Sequence, residues 1–238
     1  MTTPTIADQV QLLGQTTVRD FEQLQDFHVF TGYSYDRFAR MASAGQLGGS
    51  VQNGRTGTTL SATDLAPILL GYLDAALPQV VLYQVVALFE WFIFDLLALL
   101  MQHNPHALSS KRQITVEELV EAPDKEALLR TVITKELAEL QYRAVPDWFE
   151  ALGRAISLRA PSEGEIARLA EIKATRDVLA HNRGTVNQVY LRKAGDLARA
   201  KEGHRVPLDR PYVYDSADFL RGLAQRTADA VAGRLRAS

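Results

Sequence analysis

The segment from Val80 to Met101 constrains the fold of this chain more than any other, because it is apolar on almost every side. Gln84, Glu90 and Asp95 interrupt it, so its longest unbroken apolar runs are five or six residues. A membrane span needs roughly 18, and carboxylates are expensive in hydrocarbon. The segment therefore predicts the buried central helix of a soluble bundle and no membrane partner.

The rest of the chain also favours helices, since apolar residues recur at helical spacing and runs at strand spacing are scarce. Pro78 predicts a break or kink within the helical segment of residues 65–103. Other helices are predicted around Val10–Phe27, after the capping-box sequence Thr115–Glu118, around Leu129–Leu140, after Pro146, from Ser162 to about His181, and around Phe219–Leu235. The predicted fold class is an all-α, single-domain helical bundle.

Residues 42–63 interrupt the helical pattern with five glycines and few large apolar side chains. Such a composition predicts a mobile loop. The chain is therefore divided into an N-terminal helix with a glycine-rich loop, residues 1–64, and a helical bundle, residues 65–238, to which that region is appended.

Composition excludes several classes of site. The 238 residues include 26 basic and 28 acidic ones, and a net charge of −2 predicts by itself neither a nucleic-acid nor a membrane partner. No cysteine is present, which excludes disulfides, thiol nucleophiles and cysteine-based metal centres. His103 and His106 flank a turn without a third ligand, so no metal and no cofactor are predicted. We expect a cytoplasmic location, because the chain has no cysteine and because Asp8 lies where a signal peptide would carry basic residues.

The helix predicted from Ser162 carries a charge on its apolar face. Arg176 lies four residues after Ile172 and three before Leu179, which both belong to the apolar stripe. A guanidinium at such a position must be paired or must line a cleft. Glu90 and Asp95, on the apolar central helix, are its expected partners.

A dense group of polar residues follows at the end of the same helix. His181 lies five residues after Arg176, and Asp177 precedes it by one turn, where a carboxylate can hold an imidazole tautomer in place. Asn182 and Asn187 are predicted either as hydrogen-bonding groups of a cap and a loop or as ligand contacts. The spacing between arginine and histidine is by itself weak evidence for a functional site, because a second pair in the chain has the same spacing.

The sequence around this pair resembles a known signature. Residues 176–184 (RDVLAHNRG), followed by Val186-Asn187 and Tyr190-Leu191, look like the motif of the HEPN superfamily (higher eukaryotes and prokaryotes nucleotide-binding). In that family an arginine, usually followed by a polar residue, precedes a histidine by about four to six positions late in an α-helical bundle. Residues 89–97 (FEWFIFDLL) resemble the long central helix of some prokaryotic members. The resemblance covers roughly residues 80–235 and implies an HEPN-type bundle.

The resemblance implies a metal-independent endoribonuclease, commonly a homodimer, often working with an antitoxin or a phage-defence partner. The alternative is a non-catalytic relative that binds RNA or nucleotides or serves in assembly. Arg176 and His181 match the motif positions and would be catalytic, with Asp177 orienting the site. In such a reaction the ribose 2′-OH attacks its neighbouring phosphate, an imidazole transfers protons, and a guanidinium stabilises the phosphate charge. Two motifs facing each other across a dimer axis would complete the set of groups.

Local charge favours the same substrate. Residues 173–205 contain eight basic and three acidic residues, an excess that attracts RNA. The predicted RNA-binding residues are Lys173, Arg183, Arg192 and Lys193. Glu90 and Asp95 are predicted as structural partners rather than acid–base catalysts. The non-functional alternative for Arg176 and His181 is a buried ion pair and a helix-end histidine stabilised by the helix dipole.

Overall fold

The computed structural model describes residues 4–47, 49–108, 113–158 and 161–237, and it confirms the all-α fold class. The helices are α1 Ile6–Ser43, α2 Ala62–Gly71, α3 Leu77–His103, α4 Val116–Glu121, α5 Lys125–Gln141, α6 Val145–Ile156, α7 Glu163–Asn182, α8 Gln188–Ala194 and α9 Arg210–Arg236. Two short strands, β1 Ser50–Gln52 and β2 Thr59–Ser61, form an antiparallel hairpin.

Helix α3 is the centre of the bundle, as its composition predicts. Helices α1, α5, α6, α7 and α9 all pack against it. Phe89, Ile93 and Leu97 are fully buried, whereas Val80 and Trp91 lie on its one solvent-facing side. A helix that is apolar nearly all round requires such coverage on most of its circumference.

Among the described residues, one continuous helix, Ala62–His103, is long and apolar enough to cross a membrane by length and composition. Of its apolar stretch, 56% is buried inside the protein. Because the core helix of a soluble bundle meets the same criterion, its length and composition are weak evidence for a membrane span.

Pro78 does not break the helix that contains it. Helix α2 continues into α3 through a π-helical turn, Tyr72–Ala76, in which the Leu77 N–H bonds to the Tyr72 carbonyl. Proline lacks an N–H for the carbonyl of Asp74, and its ring crowds that oxygen. The wider π turn just before Pro78 makes room for the ring while keeping the helix continuous.

The prediction that residues 42–63 form only a loop is wrong. Helix α1 extends to Ser43, and Val51 pairs with Leu60 at the centre of the hairpin. The Asn53 side chain accepts hydrogen bonds from the N–H groups of Arg55 and Thr56, which builds the connecting turn. Strands of three residues are too short to show the alternation that identifies a strand in a sequence. Gly48, part of the predicted loop, lies outside the described residues.

The N-terminal region forms one wall of the bundle. Helix α1 packs along α9 and against α3, and its Val10 and Phe21 belong to the same hydrophobic core as Phe89 and Leu220. The α1–α9 contact is very close at Gly14, where an added Cβ would lie 2.5 Å from the Cβ of Ala228. Helix α1 therefore contributes to the hydrophobic core of the bundle that was predicted for residues 65–238.

A buried histidine lies in the same α1–α9 contact. The ring of His28 is 2% exposed and stacks on Tyr214, with 4.6 Å between ring centroids. Its Nε2 has no hydrogen-bond partner among the described residues. Desolvation, reinforced by the nearby positive charge of Arg210, lowers the pKa of His28 below its ordinary value.

We predict that His28 makes the fold acid-sensitive. Because its folded-state pKa lies below the unfolded-state value of about 6.5, the unfolded chain gains the proton first as the pH falls. The neutral His28 therefore makes its full contribution to the free energy of unfolding above about pH 6.5, and this contribution declines at lower pH. Urea unfolding at several pH values should show a shallower acid-side loss for His28→Phe, which keeps the ring stack, than for the wild type. The exposed His106→Ala variant should keep the wild-type slope, and identical slopes for all three proteins would refute the prediction.

Candidate functional site

Helix α7 and the turn after it position the predicted site. The helix begins after a capping box in which the Glu165 side chain accepts the Ser162 N–H, as the sequence predicts. It ends at Asn182, where Arg183 and Gly184 adopt positive φ values of 51° and 78°. The Gly184 N–H bonds back to the Val178 carbonyl and satisfies the helix end. This turn brings α8 against the last turns of α7.

A cavity of about 220 Å³ lies between α7 and α8. Five of the predicted site residues line it: Asp177, His181, Asn182, Asn187 and Lys193. The imidazole of His181 is exposed, so a ligand in the cavity can reach it from solvent. The structure thus brings a proton-transfer group, a carboxylate and an ammonium group to one open hollow.

Both asparagines hold the walls of this cavity. The Asn182 amide donates to the carbonyl of Thr185, and the Asn187 side chain accepts from the Tyr190 N–H at 2.9 Å as the N-cap of α8. Of the two roles predicted for these residues, the hydrogen-bonding one is observed. Ligand contact through their remaining polar atoms stays a prediction.

Arg176 does not line the cavity that contains His181. Its guanidinium instead donates to Glu90 of α3, with 2.7 Å between Nη2 and Oε2. Five residues along a helix correspond to a rotation of about 140°, so the two side chains leave α7 in different directions. Asp177 connects the two faces, because it lines the cavity and its Oδ1 lies 3.4 Å from the Arg176 Nε. That contact is an ion pair without hydrogen-bond geometry.

The surrounding charges form one network of three cations and two carboxylates. Glu90 also pairs with Lys173 at 2.9 Å, and Asp177 pairs with Lys193 at 3.1 Å and with Lys173 at 3.4 Å. The side chains of Lys173 and Arg176 are only 12% and 21% exposed. Partial burial strengthens these attractions relative to surface pairs, and one positive charge remains in excess.

Asp95 is not part of the network, which corrects the prediction that it partners Arg176. Asp95 lies about 140° around α3 from Glu90, on the exposed stripe beside Trp91. It has no ion pair within the described ranges. Desolvation by its apolar surroundings raises the pKa of the Asp95 carboxyl above its ordinary value.

The four cations predicted to bind RNA do not form one patch. Lys173, Arg192 and Lys193 line a cavity of about 610 Å³ on the outer side of α7 and α8. Arg183 lies instead at a separate cavity of about 480 Å³, together with Arg205. The cavity of about 610 Å³ was not predicted, because its lining comes from separate segments of the chain that no local pattern connects.

A second polar cluster on α7 also escaped the sequence analysis. Glu171 is buried and accepts from Thr175 at 2.7 Å and from the Tyr212 hydroxyl at 2.9 Å. The Arg199 guanidinium lies 3.4 Å from the centroid of the Tyr212 ring. Burial raises the pKa of Glu171. The cluster ties the first turn of α9 to α7, and Arg199 adds the segment before α9 to it. The spacing of Glu171 and Thr175 by one turn is the only local signal of the cluster.

Comparisons with known proteins do not assign the site. No family model matches the chain, and neither a curated protein nor a solved structure is detectably similar to it. Within the described ranges, no group of three or more histidine, aspartate or glutamate side chains is arranged to hold a metal ion. Any functional assignment therefore depends on the α7–α8 geometry and on the resemblance in residues 176–184.

We predict that Glu90 stabilises the fold mainly by neutralising Lys173 and Arg176. Glu90→Gln removes the negative charge that faces two poorly exposed cations, Lys173 and Arg176. The free energy of unfolding should fall by about 1–3 kcal/mol, which lies between the values for exposed and buried ion pairs. Urea titration is the measurement. Glu126→Gln removes the partner of Arg130 in an exposed pair of the same kind and serves as the control. Equally small effects of the two substitutions would contradict a special role for Glu90.

Proposed function

We propose that the protein is an HEPN-type, metal-independent endoribonuclease that acts as a homodimer. The observation that carries the proposal is the open cavity in which His181, Asp177 and Lys193 meet, directly beside the ion-paired Arg176. An imidazole and neighbouring cations serve phosphodiester cleavage by an adjacent 2′-OH, and the carboxylate holds the cations in place.

Each group has a defined role in this proposal. His181 accepts the proton of the attacking 2′-OH and returns a proton to the 5′-oxygen as the bond between phosphorus and that oxygen breaks. Its exposure allows a flexible RNA strand to reach it. Lys193 and Arg176 stabilise the additional negative charge of the phosphorane. Asp177 pairs with both cations of its own chain, and it orients Lys193 at its own cavity and Arg176 toward the cavity of the second chain. Asn182 and Asn187 hold the walls of the cavity. Glu90, on the central helix, holds the guanidinium of Arg176 in place.

The homodimer is proposed because one chain keeps Arg176 and His181 on different faces of α7. A second chain related by a two-fold axis would supply its own Arg176 to the first chain's cavity. The solvent-facing side of α3 supports such an interface, since Trp91, the residue after Glu90, is 61% exposed there and Val80, three turns earlier on the same side, is 51% exposed. Large apolar side chains exposed on a central helix are typical of association surfaces.

A cytoplasmic toxin or phage-defence effector is the cellular role that we propose for this activity. RNA is its substrate, and an antitoxin or another defence component is its regulatory partner. Neither a cofactor nor a metal takes part in the proposed reaction.

The second candidate is a non-catalytic HEPN protein that binds RNA or nucleotides or serves in assembly. The Arg176–Glu90 ion pair favours it, because that bond already satisfies the guanidinium within the chain. In this case Arg176 is a structural residue and His181 an exposed helix-end residue.

We predict cleavage of mixed RNA in the presence of excess EDTA. His181→Ala should lower the rate at least about 100-fold, because proton transfer by a positioned side chain contributes that much or more. Arg176→Ala should also be severely impaired. His204→Ala, which changes an exposed histidine outside the cavity, is the matched control and should cleave normally. RNA binding without cleavage by the wild type would establish the second candidate, and cleavage that survives both substitutions would assign the activity elsewhere.

We also predict that the two inactive variants complement each other. After Arg176→Ala and His181→Ala are unfolded, mixed in equal amounts and refolded, half of the dimers are heterodimers. If each site takes Arg176 from one chain and His181 from the other, every heterodimer has one intact site of two, and about one quarter of the wild-type rate returns. No recovery, with heterodimers demonstrated by mass spectrometry, would contradict a site that takes one Arg176 and one His181 from different chains.

A further inference from the structure

A cavity of about 610 Å³ shares Lys193 with the His181 cavity. It is a groove between the start of α6, the outer face of α7 and the turn that follows α8. Small residues form much of its lining, among them Ala167, Ala170, Ala194 and Gly195. Its size and mostly apolar lining are those of a binding site for a small organic group.

The charged residues of the groove favour an anionic ligand. Arg143 and Arg192 line it with Glu163 and Asp196, and Lys173 and Lys193 reach it from the ion-pair network, in which cations outnumber carboxylates by one. A ligand that suits this lining of small residues and cations combines a flat apolar ring with an anion. A nucleotide has this combination, because its base offers a planar face and its phosphate pairs with cations.

Lys193 connects this groove to the cavity described above, since it lines both. Its ammonium group is held by Asp177, with 3.1 Å between Nζ and Oδ2. A phosphate bound at Lys193 would have the His181 cavity on one side and the groove on the other. The base attached to the next nucleotide would then enter the groove.

We propose that this groove holds the base that flanks the scissile phosphate and that the substrate is single-stranded RNA. The proposal rests on the proposed function for the identity of the neighbouring site. A base in a duplex is paired and stacked and cannot turn into a slot, whereas the bases of a single strand are free to do so. The groove therefore selects the strandedness of the substrate, and Lys193 positions its phosphate.

Binding, rather than cleavage, tests the groove. The probe is a fluorescein-labelled eight-nucleotide 2′-O-methyl RNA, which has no 2′-OH and cannot be cut by the proposed reaction. Ala167 is exposed and faces the groove, so Ala167→Trp fills the slot without changing a charge. A base bound in the groove should contribute as much binding energy as a base stacked on an aromatic side chain, so the affinity of this variant should fall about tenfold. The slope of log affinity against log salt concentration should not change, because no charge is altered. Lys193→Gln should reduce that slope by about one instead.

Two controls complete the experiment. Ala44→Trp adds the same side chain at an exposed position outside the described cavities and should bind like the wild type. A blunt duplex of the same sequence should bind at least about tenfold more weakly than the single strand, since it retains only phosphate contacts. If circular dichroism shows Ala167→Trp to be unfolded, Ala170→Leu replaces it, because it obstructs the same groove with a smaller side chain.

The outcomes separate this inference from the proposed function. Equal affinity for duplex and single strand, or wild-type affinity in the groove-filling variant, overturns the inference even if the protein cleaves RNA. Groove-dependent binding of the single strand supports it even if unmodified RNA is never cut, in which case only the endoribonuclease proposal fails.

Discussion

The burial of α3 is the constraint on which the rest of the structure depends. A helix that is apolar on nearly every side must be covered by several neighbours, and α1, α5, α6, α7 and α9 provide that cover. Glu90 is the carboxylate that faces one of these neighbours, and it can be accommodated there only with cations opposite it. Lys173 and Arg176 meet this requirement, so the charge pattern of α7 follows from the composition of α3.

The same pairing determines how α7 presents its remaining side chains. With Arg176 directed to Glu90, the opposite side of α7 buries Thr175 and Val178, and Asp177 faces α8. His181 then follows Asp177 by one turn and enters the α7–α8 cavity. The core and the candidate site are therefore coupled through one carboxylate on the central helix.

Local signals made much of this structure predictable. The central helix, the capping boxes at Thr115 and Ser162, and the pairing of Arg176 with Glu90 each follow from periodicity or from the high energy of an unpaired buried charge. The alternative partner Asp95 could have been rejected from its angular position on α3 alone. The RNA-related roles are not deducible from these physical signals, because they enter through a family resemblance.

Features that depend on contacts between distant segments were not predictable. The hairpin is too short to show alternation, and the close approach of Gly14 to Ala228 joins residues more than 200 positions apart. The large groove is another case, since Ala167 and Ala170 belong to a helix whereas Gly195 belongs to a later turn. A sequence pattern shows which face of a helix is apolar, but it does not show whether a neighbour fills the space above it.

The position of Arg176 is the point on which the two functional candidates differ. An arginine that only stabilises the bundle needs one carboxylate, and Glu90 supplies it. The structure adds Asp177 within 3.4 Å of the same guanidinium and places Lys193 on that carboxylate as well, so cations outnumber anions in a partly exposed network. A purely structural ion pair gains nothing from surplus positive charge beside an open cavity, whereas a phosphate group would neutralise it. This imbalance, rather than the spacing of the motif, is the physical reason to favour a phosphate ligand at the end of α7.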